Sequence, residues 1–257
     1  MRKSMVVLAG IAALFLLGTA TKADTFVITY GAPGVQTPDS AIMSGATVLG
    51  TETFDGQAAG CGGFTTNYGT GGAITGVYSS GACIMAPTQY GGAGGVGQYI
   101  VTHSDPGYSI MLSTSGSAKG VNYFGYWLSA LDPGNYLEFL ENGTVVGTFT
   151  PADLIADLGA CPESYCGNPN AAFLGQNAGQ QYAFVNFVDT TGYFNEIEVY
   201  ESGFAGGYES DNHTVAYCSD VQACISGNLV GATPEPPALV LLGTGLLGLA
   251  LLVRRLN

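Results

Sequence analysis

Apolar positions in this chain come in short bursts separated by polar, glycine-rich stretches. Runs rich in β-branched and aromatic residues predict strands over 25–30, 46–54, 98–102, 108–112, 121–128, 135–141, 144–149, 181–188, 195–201 and 214–217. The alternation Glu196-Ile197-Glu198-Val199 is that of an antiparallel strand with one face wet. Asn142-Gly143 separates two apolar runs and suits the positive φ values of a two-residue type I′ hairpin turn. One segment, 151–158, predicts a short helix opened by Pro151 in its first turn. Many short strands with frequent turns predict an all-β fold, an antiparallel β-sandwich or jelly roll. With no repeat or linker visible, the strands form one domain over 24–230.

The two ends break this pattern. Arg2 and Lys3 precede an apolar stretch over 6–17, and Thr21-Lys22-Ala23 places small residues where signal peptidase reads. Residues 1–23 therefore read as a signal peptide whose helix is too short to span a bilayer, with cleavage after Ala23. At the other end Pro234-Glu235-Pro236-Pro237 interrupts regular structure. An unbroken apolar run over 238–253 follows, and then Arg254-Arg255. That run predicts a transmembrane helix of roughly 24 Å, with the arginine pair held on the cytoplasmic side. The body is then exported across the inner membrane and transiently anchored by its tail, 231–257.

Charge sharpens this picture. Of the 19 acidic residues all but Glu235 lie between Asp24 and Val230, where Lys119 is the one basic residue. So acidic a body repels phosphate backbones, which excludes nucleic acid as a partner. Charged residues make up only 10% of the chain and glycine numbers 40. Aromatics at 11%, with 15 tyrosines, supply enough apolar surface for a packed core and argue against disorder.

The tail, with Pro234-Glu235-Pro236, a glycine-containing apolar helix and the Arg254-Arg255 end in that order, resembles the PEP-CTERM sorting signal. The resemblance implies a Gram-negative bacterium that makes exopolysaccharide, and recognition by the membrane protease-transpeptidase exosortase at Pro-Glu-Pro. The export machinery and exosortase are then partners, and the destination is the cell surface or extracellular matrix. Within the body, Asn122-Tyr123-Phe124-Gly125-Tyr126-Trp127, Leu131-Asp132, Tyr136-Leu137-Glu138-Phe139 and Val146-Gly147-Thr148-Phe149 are similar to a family of exosortase-dependent surface proteins. The later segments Tyr182-Ala183-Phe184-Val185-Asn186-Phe187 and Glu209-Ser210-Asp211-Asn212 are similar to it too. Tyr208 stands where that family has Phe. This second resemblance implies a surface location and no particular activity.

Six cysteines, Cys61, Cys83, Cys161, Cys166, Cys218 and Cys224, in an exported body read as disulfides. Six cysteines permit 15 pairings, of which nearest-neighbour pairing is the simplest. Their spacings fit zinc knuckles poorly.

Catalytic chemistry is hard to find. Neither histidine, His103 nor His213, sits in a G-x-S-x-G context, and His103-Ser104-Asp105 reads as a strand running into a turn. Glu138 with Glu141, or Glu196 with Glu198, could form a glycosidase pair by residue type, but they read as a solvated strand face. Gly91–Gly97 lacks the Lys-Ser/Thr of a phosphate loop and reads as a flexible surface loop. Asp105, Asp132, Glu209 and Asp211 lie in turn-like segments and are weak calcium candidates. Trp127, in an apolar strand, reads as core. The expectation is a non-enzymatic structural or adhesive protein of the exopolysaccharide matrix, without cofactor. The alternatives are a carbohydrate-binding module, with or without Ca²⁺, and then a secreted glycoside-acting enzyme. A shallow aromatic platform on one sheet face would favour the module, and an aromatic-lined cleft with two facing carboxylates the enzyme.

Overall fold

The structure is a computed structural model describing residues 24–69, 72–103, 107–116, 119–202 and 206–231. The expected signal helix, the Pro234-Glu235-Pro236 motif, the transmembrane helix and Arg254-Arg255 lie outside these residues. No helix among the described residues is long and apolar enough to cross a membrane.

The chain runs through β1 (Phe26–Tyr30), α1 (Ser40–Gly45), β2 (Ala46–Glu52), β3 (Gly60–Cys61), β4 (Phe64–Tyr68), β5 (Ile74–Tyr78), β6 (Cys83–Met85), β7 (Tyr99–Thr102) and β8 (Tyr108–Thr114). It continues through β9 (Tyr123–Leu131), β10 (Asn135–Glu141), β11 (Thr144–Phe149), α2 (Ala152–Leu158), β12 (Gln181–Asp189), β13 (Glu196–Glu201), β14 (Tyr208–Cys218) and β15 (Asn228–Leu229). The strands form two antiparallel sheets. The larger has the order β15-β1-β12-β9-β14-β7-β6-β3, with β2 also on β14, and the smaller the order β11-β10-β13-β8-β5-β4. The protein is thus an all-β sandwich.

Strand alternation builds the core. Phe124, Tyr126, Leu128, Val185 and Phe187 from the larger sheet meet Ile110, Leu137, Phe139, Ile197 and Val199 from the smaller in one buried cluster. The intervening residues of the larger sheet are buried as well. Tyr123, Val188 and Ala216 pack with Ile42 of α1 and Cys224, while Trp127, Ala130, Tyr182 and Phe184 form another cluster. The larger sheet is therefore covered on both faces, and this is why β9 and β12 read as continuous apolar runs. Gly125 makes the outer packing possible. A Cβ there would lie 2.2 Å from Tyr123 Oη and 2.9 Å from Phe184 Cε1, and the Tyr123 hydroxyl donates to Asn186 Oδ1 at 2.8 Å.

Strands β4 and β5 escape the sequence pattern because β4 is mostly polar, Phe-Thr-Thr-Asn-Tyr, and glycine interrupts β5. Gly76 stands inside β5, where an added Cβ would meet the Tyr68 ring at 2.6 Å. Strand β14 starts six residues earlier than expected. One edge pairs with β9; the other pairs with β7 at Tyr208–Ser210 and with β2 from His213 onward. At the changeover Asn212 adopts φ 50° and the register shifts. The Asn142-Gly143 hairpin is present, with φ of 50° and 78° at the two residues, and α2 begins directly after Pro151.

The six cysteines form three disulfides, Cys61–Cys83, Cys161–Cys166 and Cys218–Cys224, the nearest-neighbour pairing. Gly91–Gly97 is not a free loop. Asp211 Oδ2 accepts from Ala93 N at 2.6 Å, Asn170 Nδ2 donates to Gly92 O at 2.8 Å, and Gln36 Oε1 accepts from Gly94 N. Ala93 also packs on the Trp127 cluster. Parts of the run are pressed close: a Cβ on Gly97 would fall 1.9 Å from Asp55 Oδ1.

Candidate functional site: an acidic aromatic face and a buried-acid cleft

The outer face of the smaller sheet is its open side. Along β10 and β13 burial alternates, leaving Tyr136, Glu138, Glu196, Glu198 and Tyr200 half-exposed while their neighbours enter the core. Register then creates pairs invisible in the sequence, because Tyr136 lies opposite Tyr200 and Glu138 opposite Glu198. The tyrosine rings stack with centroids 4.6 Å apart and planes 2° from parallel. The Tyr200 hydroxyl donates to Glu198 and stands 3.5 Å from Glu138 Oε2. Burial first, and then the hydrogen bond to Glu198 and the negative charges around it, hold Tyr200 protonated well above the usual tyrosine range. Burial and the charge of Glu198 also raise Glu196. Beyond Tyr200 the face dips into a hollow of about 340 Å³ lined by Ser79, Gly107, Ser109, Glu198 and Tyr200. Glu196 and Glu198 share this face of β13, and the carboxylates that face each other across the strands are Glu138 and Glu198.

A second concavity, of about 500 Å³, opens at the rim of the larger sheet, lined by Tyr90, Tyr99, His103, Asp132, Gly207 and Glu209 among others. Burial pushes Glu209 up to about 8, and the charges of Asp132 and Glu201 add to the shift. Burial also raises Asp132. Glu201 is driven to about 7 by burial and by Asp132, against the stabilising Asn135 amide donated to its Oε2 at 2.7 Å. Burial thus raises all three of these neighbouring acids.

Of the calcium candidates, two share this cleft, Asp132 and Glu209, and Asp105 lies outside the described residues. Asp211 is committed elsewhere, its Oδ2 accepting from Ala93 N and its Oδ1 from Asn212 N, both at 2.6 Å. Among the described residues no three His, Cys, Asp or Glu side chains gather in a metal-holding arrangement.

His103 borders the cleft, its Nδ1 3.1 Å from Gly206 O. His213 lies inside the sandwich. Its Nε2 is 2.9 Å from Ser210 Oγ and its Nδ1 3.0 Å from Tyr78 Oη, which in turn bonds the Tyr68 hydroxyl. Burial lowers His213 to about 3, so it is neutral. With Ser210 and His213 each 1% exposed, this serine–histidine contact is closed to substrate. Trp127 is fully buried beneath the glycine-rich loop and offers no platform. Comparison with family models, with curated proteins and with solved structures returns no match.

Proposed function

We propose that this chain is an exported protein of the bacterial surface or exopolysaccharide matrix whose open sheet face adheres to polysaccharide. The observation that carries the adhesive role is the Tyr136–Tyr200 stack flanked by Glu138 and Glu198 on a solvent-facing sheet. Amphipathic rings offer apolar area to the faces of sugar rings, and carboxylates accept hydrogen bonds from sugar hydroxyls. Glu138, Glu196 and Glu198 make the face acidic, so it suits a neutral polymer, or an anionic one bridged by cations. Three closed disulfides support an oxidising, extracytoplasmic compartment. The leader 1–23 and the tail 231–257 supply export, transient anchoring and exosortase sorting in this reading. The role is structural and adhesive rather than enzymatic.

The test is sedimentation of the purified chain with the host's own exopolysaccharide, with and without Ca²⁺. Saturable co-sedimentation supports the reading. Failure to bind in both conditions contradicts it.

A further inference from the structure

Away from both concavities, the start of β1 meets the turn that follows β12. Two carboxylates converge there. Asp24 Oδ2 and Asp189 Oδ2 are both buried and have no hydrogen-bond partner among the described residues. Asp189 as a whole is 0% exposed. Both oxygens point at Gly192: the position a Cβ would take on that residue lies 2.1 Å from Asp24 Oδ2 and 3.1 Å from Asp189 Oδ2. Any side chain at 192 would therefore crowd both oxygens.

The surroundings supply more oxygen and a rigid frame. Thr191 Oγ1 is 3.5 Å from Asp24 Oδ1 and accepts from Thr25 N at 3.0 Å. The other oxygen of Asp189, Oδ1, accepts from Thr191 N at 3.0 Å and Gly192 N at 2.8 Å, which aims Oδ2 inward. Asp24 N donates to Val146 O at 3.1 Å, so the same residue ties β1 to the β11 hairpin of the opposite sheet.

Two unpartnered carboxylate oxygens at one buried point need either a cation or a shared proton. The geometry points to a site for a hard divalent cation of the calcium class, held by Asp24 and Asp189 and fastening the first strand to the turn after β12. Calcium prefers oxygen ligands in irregular geometry, and this corner offers two carboxylates and the Thr191 hydroxyl. Burial, and then the charge of Asp24 and the hydrogen bond its carboxyl can share, raise Asp189 to about 6 against the pull of Thr191 N and Gly192 N. A bound cation would relieve that repulsion.

The experiment follows thermal unfolding and titration calorimetry of the purified chain with CaCl₂ after treatment with chelator. The expected result is one saturable site and a midpoint rising by about 5–10 °C at a hundredfold excess of calcium over Kd. D24N and D189N should each lose both responses, while D132N and E209Q keep them. A midpoint and heat signal indifferent to calcium would overturn the proposal in favour of a shared proton, and loss of the response in D132N or E209Q would move the site to the cleft. Should D189N fail to unfold cooperatively, D24N, whose change lies at the edge of the fold, decides alone.

Discussion

Glu138 on β10 stands directly across from Glu198 on β13, with the Tyr200 hydroxyl donating to Glu198. Like charges placed opposite one another on a sheet cost stability. Glu138, which makes the weaker contact with Tyr200, is the side to neutralise. E138Q should raise stability by about 0.2–1 kcal/mol at neutral pH, seen as a higher midpoint in chemical denaturation, and high salt should shrink the gain.

The outer packing of the larger sheet rests on a missing methyl group. G125A would drive a Cβ into the Tyr123 hydroxyl and the Phe184 ring. Overpacking of this kind costs about 1–3 kcal/mol. G143A, at a hairpin glycine with φ 78° and open space around its Cβ, strains the backbone but displaces no neighbour, so loss of the Tyr123–Asn186 contact should be confined to G125A. Denaturation midpoints and the near-UV signal of the aromatic cluster check both.

How much of this was readable beforehand follows from which interactions are local. The Asn142-Gly143 turn, the helix after Pro151 and the alternation in Glu196–Val199 depend on neighbours in sequence, and each is where the pattern predicts. The Glu138–Glu198 and Tyr136–Tyr200 pairs depend on the register between β10 and β13, which no local pattern states. Gly91–Gly97 looked mobile because glycine gives no sign of the Asp211, Asn170 and Gln36 contacts that hold it. The polar run Glu209–His213 did not read as strand, because its burial depends on Tyr78 and Ser210 enclosing His213, and on the glycine-rich loop engaging Asp211.

The disulfides differ in the span they close. Cys61–Cys83 joins residues 22 apart, whereas Cys218–Cys224 spans only 6. Chain entropy assigns the first about 3 kcal/mol and the second about 2 kcal/mol. The C61S/C83S double variant should therefore be less stable in urea than C218S/C224S. Equilibrium denaturation of both variants measures it.

The buried acids give the protein an unusual pH profile. Glu209 and Asp211 titrate near 8, Glu201 near 7 and Asp189 near 6. Each binds its proton more tightly in the folded state, so its contribution is complete below the unfolded value near 4 and is lost as pH rises through the folded value. His213 acts in the opposite sense: held at about 3, it contributes above 6.5 and loses that contribution as pH falls. Four acids outweigh one histidine between pH 5.5 and 8. In chelator, the melting temperature should therefore fall across that range as pH rises, and E209Q should flatten the decline.

Export and sorting are tested by replacing Pro234, Glu235 and Pro236 with alanine in the host. In the proposed account the variant stays in the inner-membrane fraction while the parent chain reaches the surface or medium. Equal distribution of the two would remove exosortase sorting from the account.

The most direct measurement is the affinity of the purified chain for the host polysaccharide before and after the paired substitution Y136A/Y200A, with folding verified by unchanged far-UV circular dichroism. The account predicts binding weakened by about tenfold to thirtyfold, about 1.4–2 kcal/mol, as loss of a central aromatic anchor requires. Unchanged affinity in the folded double variant would contradict it, because the open tyrosine face would then not be the surface that holds the polymer.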